Sequence, residues 1–203
     1  MKKIYFTFLF KSVFLFSNSF AQELSPPLTT KAKLTSFSTK YDKAKITSAL
    51  KIVELVINSD EFKNKVLAHQ FKGQTQYHEN EGLSNLEIYQ KIMTGEEDLI
   101  PGIDHIMNYD LALYRTKNPW SSVKGYTNPG KLRIYINKKF FRRSSYSCID
   151  VASNLVHEWL HKLGFGHDFN HNADRPFTVP YAIGDIAYEV GMELGLDKSV
   201  PCP

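Results

Sequence analysis

The chain has 203 residues, 42% of them apolar, which suits one soluble domain of about 100–200 residues whose core needs no disulfides. Its formal charge of +4 comes from 25 basic and 21 acidic residues, and three of the lysines fall in residues 1–21, which hold no acid. Residues 22–203 are close to neutral, which argues against a nucleic-acid partner, since such proteins carry a clustered basic face.

Residues 1–21 read as a secretory signal peptide: Lys2 and Lys3, then a Phe/Leu-rich segment, then Ser19, Phe20 and Ala21 as a small-residue cleavage site. The alternative is an uncleaved anchor, although Lys11 leaves no apolar run near the roughly 18 residues of a membrane span. The expected location is therefore secreted or periplasmic. Residues 22–40, rich in Ser, Thr, Lys and Pro, read as a flexible linker.

From Tyr41 to Val56 the apolar residues Ile46, Ala49, Leu50, Val53 and Val56 recur at three- and four-residue steps, predicting an amphipathic helix. Asn58, Ser59 and Asp60 break it and can cap a second helix through Phe62, Val66 and Leu67. A third runs from Ser84 to Met93 and stops at Gly95. This helical region, 41–100, is either a removable pro-segment or part of the catalytic domain; as a pro-segment it could cover a cleft with Glu79 or Glu81.

Strand signals come next, at His105–Tyr114 and at Leu132–Asn137, where Leu132, Ile134 and Ile136 alternate with Arg133, Tyr135 and Asn137. Between them Lys117–Gly130 is turn-rich. Cys148–Leu163 reads as a helix with Asp150 at its N-cap, and a last helix spans Ala182–Leu194 with Met192 in the core. Helices, then strands, then helices predict an α+β fold. Cys148 and Cys202 either pair, tethering the C-terminus to the start of the Cys148 helix, or remain two thiols.

The chemistry is concentrated in residues 157–167. His157 and His161, four apart on a helix, project from one face and can reach a single ion at about 2.0–2.1 Å. Glu158 lies beside them as a general base rather than a ligand. Gly164 lets the chain turn so that His167 returns as a third ligand. Three imidazoles leave a zinc position open, which is the arrangement of a catalytic site. Val151, Leu155, Val156, Trp159, Leu160 and Leu163 surround the histidines with apolar surface, and Trp159 and Leu160 read as core. His69, His78 and His105 show no partner spacing, and His171 reads as a surface-loop residue.

His157-Glu158-x-x-His161-x-x-Gly164-x-x-His167 resembles the long zinc signature of the metzincin clan of metallopeptidases, and Asp168 after the last histidine is similar to adamalysin-type members. The resemblance covers His105 to about Gly195, so that 101–203 is expected to be the catalytic region. It implies one Zn²⁺ per chain, a metal-activated water with Glu158 as general base, and hydrolysis of peptide bonds by a secreted endopeptidase. It also implies a metzincin-like domain with a small mixed sheet, an active-site helix and a C-terminal helix, with an antiparallel edge strand above the active-site helix on which substrate adds as a further strand, here Leu132–Asn137. Metzincins carry a methionine in a turn beneath the metal, where this chain has Thr178, Val179, Pro180 and Tyr181. Tyr181 is either an oxyanion or substrate-pocket residue or a packing residue. The expected partner is a protein or peptide substrate, with no nucleic acid, no stable membrane insertion once 1–21 are removed, and a monomeric state. Alternatives are a zinc hydrolase of cell-wall peptide or other amide crosslinks, and an inactive metal-containing binding protein.

Overall fold

The computed structural model of the chain describes residues 26–128, 130–167 and 172–203, so that the segment 1–21, Asp168 and His171 lie outside the described residues. Among the described residues are seven helices and a four-stranded mixed sheet, an α+β arrangement. No described helix is long and apolar enough to cross a membrane.

The strands are β1 (Thr29–Thr35), β2 (Ile106–Tyr114), β3 (Gly125–Thr127) and β4 (Arg133–Asn137), and their order across the sheet is β1-β2-β4-β3. β1 and β4 run parallel to β2, whereas β3 pairs antiparallel with β4, Tyr126 opposite Tyr135.

The sheet corrects two expectations. Residues 29–35 are a strand, so 22–40 is not a linker throughout. β1 carries almost no side-chain burial, which is why no hydrophobic pattern marks it. Its backbone pairs with β2 over seven residues, and the Glu54 carboxylate accepts from the Thr30 amide at 2.6 Å and from its hydroxyl at 2.7 Å. The strand at Leu132–Asn137 begins at Arg133 and is internal; the antiparallel edge belongs to β3, whose three residues are too few to show alternation.

Helix α1 (Lys40–Ile57) starts at a Thr39–Asp42 capping box and buries the stripe that the periodicity predicts. Ser59 caps α2 (Asp60–Ala68) and Ser84 caps α3 (Asn85–Thr94), which ends at Gly95 in the left-handed region. After the short α4 (Lys138–Phe141) comes α5 (Cys148–Leu160), capped by Ser147 rather than Asp150. Asp150 instead sits three residues in, and its carboxylate accepts from the Ser147 amide and hydroxyl, both at 2.7 Å. α6 (Val179–Glu193) starts earlier than the apolar pattern suggests, because Pro180 suits a first helical turn. Met192 lies 44% exposed near its end, on the face away from the core. The four-residue α7 (Leu196–Ser199) closes the chain, and a Cys148–Cys202 disulfide ties the tail to the start of α5.

One apolar core spans both halves of the chain: Ile46, Val53 and Val56 of α1 share it with Leu155 and Trp159 of α5 and Ile183 of α6. Because 26–100 supply a sheet strand and a core helix, they are built into the same body as 101–203 rather than laid over it. Neither Glu79 nor Glu81 lines the large cleft beside the histidines.

Candidate metal centre

The geometry of the centre is set by how α5 ends. After Leu160 the helix tightens into a 3₁₀ turn, His161–Leu163, and Gly164 adopts φ 87°. The Phe165 amide donates to Leu160 O at 3.2 Å and the Gly164 amide to His161 O at 3.4 Å, a glycine-terminated helix end. A Cβ at residue 164 would meet the Asp98 carboxylate, its Oδ2 at 2.9 Å, but it is the backbone angle that calls for glycine. The reversed chain then carries His167 back towards the helix.

Ring centroids of His157 and His161 are 5.2 Å apart, and His167 lies 5.4 Å from the first and 4.9 Å from the second. Their ligand nitrogens all lie within 4.8 Å of one another, so the three can hold a metal ion. The backbone orients His161 from behind, its Nδ1 bonding Phe165 O at 2.7 Å, and the Pro180 carbonyl lies near enough to His157 to favour its protonated form. A carbonyl on one ring nitrogen leaves the other as a lone pair for an ion. Burial, reinforced by the neighbouring imidazoles, holds His157 well below its usual value, and burial brings His161 down to about 4. Both rings are thus neutral near pH 7, which is the ligating form. The donor set therefore fits a cation that prefers imidazole, of which zinc is one.

Glu158 is buried beside the cluster. Desolvation pushes its carboxyl up to about 8, against the pull of Lys162, the Asn154 amide and the Thr127 backbone N–H. Tyr181, in the first turn of α6, packs its ring 4.5 Å from that of His157 and 4.8 Å from that of His167, and the Arg175 guanidinium lies 4.7 Å over it. Gly184 lets α6 approach, since a Cβ there would sit 3.2 Å from His157 Cβ. The segment Thr178–Tyr181 is therefore a helix start pressed against the histidines.

All of these groups open onto one cleft of about 1120 Å³ that extends from Leu132 to Tyr188 and has β3 along one wall. The structure brings together His157, Glu158, His161, His167 and Tyr181, and places Cys148 and Cys202 away from the cleft in their disulfide. The lone histidines stay apart from it. His69 stacks on Tyr77 at 4.2 Å, the His78 backbone bonds Phe177 O, and His105 Nδ1 bonds Met93 O at 2.7 Å. Sequence reasoning missed Asn154, Lys162 and Thr127. The first two lie four residues to either side of Glu158, a spacing that could have marked them.

Fold and site together define an α+β protein with a three-histidine group able to hold a metal ion at the floor of a cleft. No protein-family model matches the chain, and no curated protein matches it in sequence.

Proposed function

We propose that the chain is an exported zinc endopeptidase of metzincin type, cutting peptide bonds at the His157–His161–His167 centre. The observation that carries this is Glu158: a buried carboxyl next to a convergent three-histidine set, facing a cleft walled by an antiparallel edge strand. A scaffold that merely held a metal would have no use for a desolvated carboxyl there. The disulfide suits an oxidising compartment and so supports export.

Zinc bound by the three imidazoles would polarise a scissile carbonyl and acidify a water. The chain's own residues do the rest. Glu158 takes the proton of the attacking water and passes it to the departing amine nitrogen. Tyr181, whose ring packs against those of His157 and His167, would donate its hydroxyl to the developing oxyanion. β3 receives substrate as an added strand.

The test is metal content and casein cleavage on the chain from Gln22 and on its Glu158→Gln variant. One zinc per chain in both, with cleavage confined to the parent and abolished by a chelator, is the expected result. Zinc in both with no cleavage of casein but cleavage of purified wall material would replace the peptidase reading by that of an amide-crosslink hydrolase. Absence of zinc from both would sink the reading altogether.

A further inference from the structure

Asn154, Glu158 and Lys162 lie four residues apart along one face of α5 and its 3₁₀ extension, and that face looks at β3. At one end of the strand, a Cβ on Gly125 would meet Asn154 Nδ2 at 2.7 Å, so β3 rests directly on the helix. Midway along the helix face, the Glu158 carboxylate lies close enough to the Thr127 backbone N–H, at the end of β3, for that N–H to favour its charged form. At the far end, Lys162 is only 5% exposed, and its Nζ donates to Thr127 Oγ1 at 2.5 Å and to the Lys131 carbonyl. Those two acceptors belong to opposite legs of the connection between β3 and β4. One ammonium therefore staples both legs to the helix that carries the ligands.

A lysine is rarely buried to this degree unless its charge is answered. Here burial works against the charge, and the carboxylates of Glu97, Glu158 and Asp110 favour it from a distance; the Lys162 carbonyl in turn accepts from the Asp98 amide at 2.8 Å. β3 needs such an anchor. It is three residues long, it pairs with β4 alone, and strands this short have little stability of their own. Its orientation also matters. The Asn137 amide bonds Lys124 O at 2.8 Å, so in the alternating antiparallel pattern Tyr126 faces β4 while Gly125 and Thr127 turn their backbone groups to the free edge. That free edge is the one a substrate strand would use.

We infer that Lys162 is a positioning residue that clamps the β3–β4 hairpin onto the metal-bearing helix and so fixes the edge on which an extended peptide pairs. Its part in substrate binding rests on the peptidase reading; the clamp itself does not.

Amide hydrogen exchange on the zinc-loaded chain from Gln22 separates the two. In Lys162→Met, exchange at Thr127 and Lys131 is expected to quicken about tenfold while α1 and α5 hold their protection, and Lys162→Arg, which keeps the donors, should restore most of it. Unchanged exchange at both amides, or equal quickening in α1 and α5, would overturn the clamp. If Lys162→Met does not fold, Thr127→Val decides, since it removes one anchor without changing strand propensity; unchanged exchange at 127 and 131 would then count against the inference. With a cleavable peptide, Lys162→Met should raise KM about tenfold, and Lys162→Arg, which keeps the charge beside Glu158, should restore it. A fall in kcat at constant KM would remove the link to substrate pairing. Loosening of the hairpin in a chain whose parent cleaves nothing would leave the clamp standing and the peptidase reading fallen.

Discussion

Trp159 Nε1 donates to Glu97 Oε1 at 2.7 Å, joining the C-terminal end of the histidine-bearing helix to a residue 62 positions earlier in the chain. The Asn108 amide donates to the same oxygen at 2.7 Å, so one buried carboxyl links α5, the start of β2 and the segment after α3. A buried carboxyl that loses such a donor keeps its desolvation cost. Trp159→Phe should therefore destabilise the protein by about 1.5–3 kcal/mol, beyond the small change in packing. By the same logic a fragment of residues 101–203 alone should show no cooperative unfolding, since it lacks β1 and the buried face of α1. Urea melts followed by circular dichroism read both, and a cooperative transition in the fragment would restore the view of 41–100 as a removable segment.

Metal binding should appear as stability. An ion bound only by the folded state adds about 2.7 kcal/mol at 100 times its dissociation constant. Zinc is expected to raise the melting temperature of the parent and of Glu158→Gln, and to leave His161→Ala and His167→Ala unmoved. A rise of equal size in either histidine variant would show that the ion binds elsewhere.

The histidine centre was readable because its constraints are local. Helical spacing sets His157 beside His161, and a glycine is the residue that lets a helix end turn back. α1 was readable because its buried stripe repeats over five turns. β1 and β3 were not, and for different reasons: β1 is held by backbone pairing and Glu54 rather than by side-chain burial, and β3 is shorter than one period of alternation can reveal. The role of Lys162 was hidden because a lysine reads as solvated unless the strand that covers it is known.

Gly164 offers a test of the helix end. Alanine there must hold φ near 87° and push against Asp98, at a cost of about 1–2 kcal/mol for the backbone alone. The strain falls between two ligands, so Gly164→Ala should lose zinc affinity more than it loses global stability. Isothermal titration paired with a melt of the metal-free protein separates the two. Equal affinity in variant and parent would show that His167 reaches the ion without this turn.

Asp42 gives a prediction in pH. Its buried carboxylate accepts from Arg142 Nε at 2.9 Å and from Nη2 at 2.6 Å, and from the capping Thr39, and the Arg142 guanidinium holds its carboxyl below the usual value against the opposing effect of burial. A carboxyl depressed in the folded state binds its proton more readily when unfolded. Its contribution is therefore complete above the unfolded value, about 3.9, and is lost as pH falls through the lower folded one. At pH 7 Asp42→Asn should cost about 1–3 kcal/mol, at the lower end because Arg142 is partly solvated. As pH falls below about 3.9 the urea midpoint of the parent should fall towards that of Asp42→Asn. The variant should lack this component of acid sensitivity. A constant gap down to pH 3 would mean that the Asp42 carboxyl binds its proton as readily in the folded protein as in the unfolded one, and that the acid sensitivity of the fold lies in other carboxylates.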